Sequence, residues 1–338
     1  MTVTHQKKQT SQNLKSLKSL SPIHDFDCEI NSVKHPSLAG SGDMAFANDE
    51  NLLFLALQNQ VCCVVILEKM KPLLTKLDTS RTAVFSTPQM SWAMSEILAL
   101  FDAHPVRVKS FKHPTALVSE KVKVGKNVYI GPYVVIEDNA IIGDDVVIES
   151  HVYIAAFSEI GARTVIHPFT TIGKPGFGFH TTQNFEHTRI PQIGKVVIEE
   201  DCEIGAHCAI DRAAFAETRI GRGCKFDNFC HVAHNCEIGE NSIMTAGFII
   251  AGSSKIGKNF MSAGGVHVNT HVTVTDNVIC SGRTGVTGNI DQPGMYGGYP
   301  AIPIKESLKV MSTLIYLPKI RKQLASLYKQ LNLEQQDD

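Results

Sequence analysis

From Val118 onward a large aliphatic residue returns at every sixth position: Val118, Val124, Ile130, Ile136, Ile142, Ile148, Ile154, Ile160, Ile166 and Ile172. If about a quarter of residues are large aliphatics, ten successive matches in one frame arise on the order of once in a million frames, so the repeat reports structure. A second column follows four residues behind, at Val122, Val128, Val134, Ala140, Val146, Val152, Ser158, Thr164 and Thr170, all small or β-branched. A period of six fits neither the 3.6-residue turn of a helix nor the strands of an open sheet. It fits a chain that turns a corner every six residues and buries two side chains per repeat, a β-solenoid. Gly125, Gly131, Gly143 and Gly161 follow the aliphatic and are expected where the backbone is tight or left-handed.

The same pattern divides the chain. Residues 1–22 are rich in Lys, Gln, Ser and Thr and read as a flexible tail without the apolar segment of a signal peptide. Residues 23–106 carry no hexapeptides; strand-like runs at 61–67 and 82–85 and helical spacing at 91–101 predict a small α/β domain. His104-Pro105 and His113-Pro114 flank the crossing into the ladder and suit extended linkers. The β-helical domain spans 107–290, with a surface insertion at 173–197. Its frame resumes at Ile198, Ile204 and Ile210, skips four residues within 213–219, and runs on from Ile220 to Val286. The last segment, 291–338, predicts a loop followed by helices at 305–317 and 319–331, separated by Pro318. Ile320, Leu324, Leu327, Tyr328 and Leu331 form a stripe that needs a partner, for which self-association is the preferred reading.

Charge and composition narrow the function. A formal net charge of −1 over 338 residues argues against a general nucleic-acid binder, and no stretch approaches the length of a membrane span. A soluble cytoplasmic protein is the expectation. Of nine cysteines, Cys202, Cys208, Cys224, Cys230 and Cys236 fall in the small inward column, so they read as core residues and no metal site is expected.

The ladder also turns spacing into geometry. Three hexapeptides make one triangular turn in such solenoids, so residues eighteen apart stack at roughly 4.8 Å. His234 and His271 differ by thirty-seven, which is two turns plus one residue, and fall on one face. His231 and His267 differ by thirty-six and stack in a neighbouring column. Taken singly, each is a solvated turn residue; together they can supply a general base and an oxyanion donor, or hold a metal.

Ile210-Asp-Arg212, Asp227-Asn228, Val232-Ala-His-Asn235 and Asn269-Thr-His271, with the inserted Gly176-Phe-Gly178 and Ile190-Pro-Gln-Ile-Gly194, closely resemble the UDP-3-O-acylglucosamine N-acyltransferases of lipid A synthesis. The resemblance runs from about Ile30 to the carboxyl end. It implies a left-handed parallel β-helix, a homotrimer with active sites between subunits, and transfer of a 3-hydroxyacyl chain to a sugar amine. The donor would be the phosphopantetheine thioester of acyl carrier protein, with no further cofactor.

Residue by residue, the resemblance makes His234 the general base and His271 the second site histidine; Asp227 has two readings, a catalytic partner orienting an imidazole or an aspartate capping a turn. His231, His267 and Asn235 fall on the substrate side. In the leading domain the family brackets an asparagine with two aromatics that sandwich uracil; here Asn48 is kept, Ala45 and Asn51 replace the aromatics, and Phe46 is the ring nearby. Gly285 marks an acyl groove lined by small residues. Arg283, Lys319, Arg321 and Lys322, with Lys305 and Lys309, supply positive charge for an acidic carrier protein.

Overall fold

The structure is a computed structural model that describes residues 8–102, 110–297, 309–310 and 312–331; His104, Pro105 and Lys305 lie outside these. The chain divides into two compact units, Met1–Val106 and Arg107–Asp338.

The first unit is built on a five-stranded sheet with spatial order Ser21–His24, Ala83–Thr87, Cys63–Leu67, Asp43–Ala47 and Ser32–Val33. Only the first pairing is antiparallel. Alternation along the central strands serves two cores. Met44, Cys63, Val65 and Phe85 pack with Ile97 and Phe101 of the helix Met90–Phe101, while Ala45, Ala47, Val64 and Ile66 pack with Leu53 and Ala56 of the helix Glu50–Gln58. Period two is what a sheet buried on both faces requires.

The expected flexible tail differs over the residues that are described. Gln9–Thr10 pairs with Glu29–Ile30, Ser11–Leu14 is a helical turn capped by Thr10, and Leu14 and Leu20 are buried in the core beneath Phe101. Two leucines spaced along an otherwise polar segment anchor it, because each fully buried leucine contributes about 1.5–3 kcal/mol.

The second unit is the solenoid. Short strands, most of two residues, stack into three parallel sheets of eight, nine and ten strands among the described residues. Ile130 pairs with Ile148 and Ile148 with Ile166, so equivalent positions superpose coil on coil. Beyond the opening coil, where Val124 is exposed and Val118 and Val122 are partly buried, both predicted columns line the interior: Ile136, Ile148 and Ile154, and Val134, Val146, Ser158, Thr164 and Thr170, are all buried. The coils stay aligned across both interruptions, with a local shift between Ile172 and Lys174 where the insertion leaves. Glu159 pairs with Val197 across the insertion, and Val197 with Arg219 across the four-residue skip. The insertion leaves as a hairpin, Phe179–Thr181 against His187–Arg189.

Left-handed backbone falls elsewhere than expected. The positive-φ residues recur every sixth position at Asn127, Tyr133, Asn139, Asp145, His151 and onward, two places after the glycines. Gly125 and Gly161 are needed for close approach instead: a Cβ on Gly125 would lie 2.6 Å from the carbonyl carbon of Gly143, and one on Gly161 2.4 Å from that of Glu199. Corner side chains therefore stack, and Tyr133, His151, Phe169, His207 and Phe229 form a ladder of rings 4.8–5.2 Å apart.

At the carboxyl end, helical residues at 309–310 and 312–314 give way to a turn at Ile315 and Tyr316, so the break falls just before Pro318 and not at it. Pro318 sits in the first turn of the helix Leu317–Gln330, where the missing N–H costs nothing. Ile320, Leu324 and Leu327 are about half exposed, so the stripe finds no cover among the described residues.

Candidate functional site

The strand His231–Val232 lies in the nine-stranded sheet, where His231 pairs with Ala209 and Ile249, Ile249 with His267, and His267 with Gly285. These five residues make one outward column. Val232 and Val268, one place further along, point into the core. His231 and His267 thus share a column with Ile249 between them.

His234 follows at the next corner. Its imidazole Nδ1 lies 3.1 Å from Asn235 Oδ1. Asn235 has a left-handed backbone (φ 61°), and three bonds fix it: its N–H donates to Thr218 Oγ1 (2.9 Å), its Nδ2 to the Phe215 carbonyl (3.0 Å), and its Oδ1 accepts the Ala214 N–H (3.0 Å). The four residues that the repeat skips are therefore the loop that Asn235 ties down. The ring itself rests between two buried glycines. A Cβ on Gly176 would lie 2.7 Å from His234 Cβ, and one on Gly252 would lie 2.7 Å from both Nε2 and Cε1.

Gly252 also joins His234 to His271. Its carbonyl accepts the His271 N–H (3.2 Å) and the Thr270 hydroxyl (2.7 Å), while the His234 carbonyl accepts the N–H of Ser253 (3.0 Å). Three successive coils thus place His234, Gly252 and His271 together. His271 is exposed at a left-handed corner, in the same column as Asn235 and Ser253.

The other candidates separate. His231 donates from Nδ1 to the Ala209 carbonyl (3.1 Å), and its Nε2 lies 3.8 Å from Asp211 Oδ2. Asp227 orients no imidazole among the described residues: its carboxylate accepts the N–H groups of Asn228 (2.7 Å) and Ala246 (3.2 Å), the job of a corner cap. Asn48 is exposed just past the strand Asp43–Ala47, Phe46 packs against the core beside the helix Met90–Phe101, and Ala45 is fully buried on the opposite face. Gly285 opens onto free space, with nothing within 4 Å of an added Cβ. Arg283, Lys309, Lys319, Arg321 and Lys322 are exposed.

Three features escape sequence reasoning. Asp211, 2% exposed at its side chain, is paired with Lys174 Nζ at 2.5 Å. Arg212 anchors the start of the insertion through the Gly173 and Ala156 carbonyls. Gly176 and Gly252 form the seat of His234. The signal for the first two was the run Ile210-Asp-Arg212, which places charge next to a core position; its partners lie on an interrupted coil and cannot be read from spacing.

The chemistry available is acid–base. All nine cysteines are free, and burial pushes the thiols of Cys202 and Cys236 up to about 11, so they stay protonated and inert. No group of three or more His, Cys, Asp or Glu among the described residues is arranged to hold a metal ion. No helix among them is long and apolar enough to cross a membrane.

The repeat and the fold define a hexapeptide-repeat β-helical protein: the family described as bacterial transferase hexapeptide (six repeats) matches residues 121–156, 139–174 and 217–247. A UDP-N-acetylglucosamine acyltransferase from Francisella novicida shares the left-handed parallel β-helix, with a TM-score of 0.52 at 22% identity over 65% of this chain and 79% of that one. The Campylobacter jejuni UDP-N-acetylglucosamine acyltransferase gives 0.50 at 21% identity over 67% and 92%. Sequence relatives are more specific. A Coxiella burnetii UDP-3-O-acylglucosamine N-acyltransferase is 31% identical over 290 residues, 80% of this chain and 83% of that protein. The Wolinella succinogenes protein of the same name is 42% identical over 157 residues, 46% of this chain and 49% of that one, so there the match spans about half the relative's length. The chain belongs to the UDP-3-O-acylglucosamine N-acyltransferase family.

Proposed function

We propose that this protein transfers a 3-hydroxyacyl chain from acyl carrier protein to the 2-amino group of a UDP-linked 3-O-acylated glucosamine, in lipid A biosynthesis. The observation that supports this reading is the seat of His234: a half-buried imidazole held at Nδ1 by Asn235, with Nε2 over Gly252, two coils from His271. The sugar amine attacks the thioester carbonyl, forming the C–N bond as His234 takes the amine proton; the C–S bond breaks and the departing phosphopantetheine thiolate takes that proton back from His234, so neither a nucleophilic side chain nor a cofactor is required. In this reading His271 donates to the developing oxyanion or to the substrate. The exposed Arg283, Lys319, Arg321 and Lys322 give an acidic carrier protein a surface to meet. The uncovered stripe on Leu317–Gln330 gives homotrimer formation one as well.

Uridine would be met at Asn48 without the flanking rings, since Ala45 is buried under the helix Glu50–Gln58. The test is mass spectrometry of products from mixed 3-hydroxyacyl carrier proteins with UDP-3-O-acylglucosamine, the 3-amino analogue competing. N-acylated product is expected, reduced about 10²–10⁴-fold by His234→Ala. Equal transfer by that variant removes His234 from the mechanism; no product from either acceptor removes the activity.

A further inference from the structure

We infer that Asn235 is a positioning residue: it locks His234 in the tautomer protonated at Nδ1, leaving the Nε2 lone pair in place as the base. The inference rests on the reading of His234 above for its consequence, but the tautomer itself is a matter of hydrogen-bond geometry.

An imidazole–amide contact at 3.1 Å leaves open which group donates, since either end of an asparagine side chain can face the ring. Here two backbone groups settle it. The Phe215 carbonyl is an acceptor only, so the atom 3.0 Å from it must be the amide nitrogen. The Ala214 N–H is a donor only, so the atom 3.0 Å from it must be the amide oxygen. The oxygen facing His234 has no proton to give, and the contact forms a hydrogen bond only if Nδ1 carries one. A neutral ring has a single N–H, which leaves Nε2 bare.

A free neutral histidine side chain prefers the opposite tautomer, so this preference is imposed from outside the ring. The anchoring belongs to the skipped residues of the repeat: Ala214 and Phe215 lie in the excursion between the strands Ala209–Arg212 and Glu217–Ile220, and Thr218 Oγ1 holds the Asn235 backbone. A break in the solenoid's frame thus supplies the two backbone groups that orient the amide. On the far edge of the ring, Nε2 stands over buried Gly252, whose missing side chain leaves it room.

The test uses the full-length protein in three forms: wild type, Asn235→Gly and Asn235→Asp. Glycine tolerates the left-handed backbone at this corner, so the first variant removes the side chain without strain. Asp retains an acceptor oxygen. Imidazole ¹⁵N spectra are recorded at alkaline pH, where the rings are neutral, with the His234 signals assigned from their loss in His234→Gln. The expected result is a protonated Nδ1 and bare Nε2 in wild type and Asn235→Asp, and a shift toward protonated Nε2 in Asn235→Gly. In turnover, Asn235→Gly lowers kcat about 10²-fold, the lower end of a general base's contribution, with KM nearly unchanged, and Asn235→Asp recovers most of it. An unchanged His234 tautomer in Asn235→Gly overturns the inference, as does a wild-type ring protonated at Nε2. A wild-type protein that shows the Nδ1–H tautomer yet transfers no acyl chain overturns the proposed activity alone.

Discussion

Replacing Gly252 by Ala tests the seat of His234 from its opposite side. Gly252 is buried and its φ lies outside the left-handed region, so the backbone itself accepts an alanine. The side chain does not fit. Its Cβ would stand 2.7 Å from His234 Nε2 and Cε1, whereas ordinary contact begins at 3.4 Å. The ring edge must withdraw by about 0.7 Å or more, while Nδ1 is held back by Asn235. A displacement of about 1 Å at a reacting group costs on the order of 10²-fold in rate. That is about 2.7 kcal/mol of transition-state energy. Overpacking adds a ground-state cost of about 1–3 kcal/mol, which lowers the denaturation midpoint without unfolding the chain. The assay is N-acyl transfer at saturating substrate, paired with circular dichroism. Gly264→Ala serves as the control, because its Cβ would approach Ala246 O only to 3.6 Å at an exposed position, and its rate and stability should stay near wild type. A folded Gly252→Ala protein with wild-type kcat would show that the ring does not act from this seat.

Two further outcomes follow from buried charge. Lys174→Met strands the Asp211 carboxylate, 2% exposed, without its cation; equilibrium urea unfolding should show a loss of about 3 kcal/mol, and a loss below about 0.5 kcal/mol would mean that the pair contributes nothing. Asp43 predicts a pH limb in the leading unit. Burial alone would raise its carboxyl, but hydrogen bonds from Ser32, Lys34 and the Gly40 N–H, with the Lys34 charge, outweigh burial and hold it below the usual value. A depressed folded-state pKa stabilises above the unfolded value and is lost as pH falls through the folded one. Stability of the wild type should therefore decline on acidification below the ordinary carboxylate range, and Asp43→Asn should be less stable at neutral pH with a flatter acid limb; an identical slope in both proteins would refute it.

Much of this was legible because the solenoid is nearly one-dimensional. Six-residue spacing fixes which residues point inward, and stacking of successive coils fixes which residues are neighbours. That is why His231 and His267 could be placed in one column, and why Cys202, Cys208, Cys224, Cys230 and Cys236 could be read as core. The motifs around His234 and His271 carried the family. The leading unit was less readable, since the strand Asp43–Ala47 and the helix Glu50–Gln58 take their burial from a sheet assembled across distant segments, and Leu14 and Leu20 look incidental until that sheet exists.

The sequence by itself determined the repeat, the inward columns, the sites of interruption and the residues that define the family. Tertiary structure alone decided what those interruptions do. The skipped residues return as Ala214 and Phe215 to fix Asn235, the insertion brings Gly176 against His234, and Lys174 reaches Asp211 across the same break. It also decided between the two readings of Asp227 in favour of the corner cap among the described residues, and moved the left-handed corners two residues past the glycines. The physical reason is that periodicity specifies contacts only where the chain is periodic; where it departs from the repeat, the path is set by hydrogen bonds and close packing that no spacing encodes.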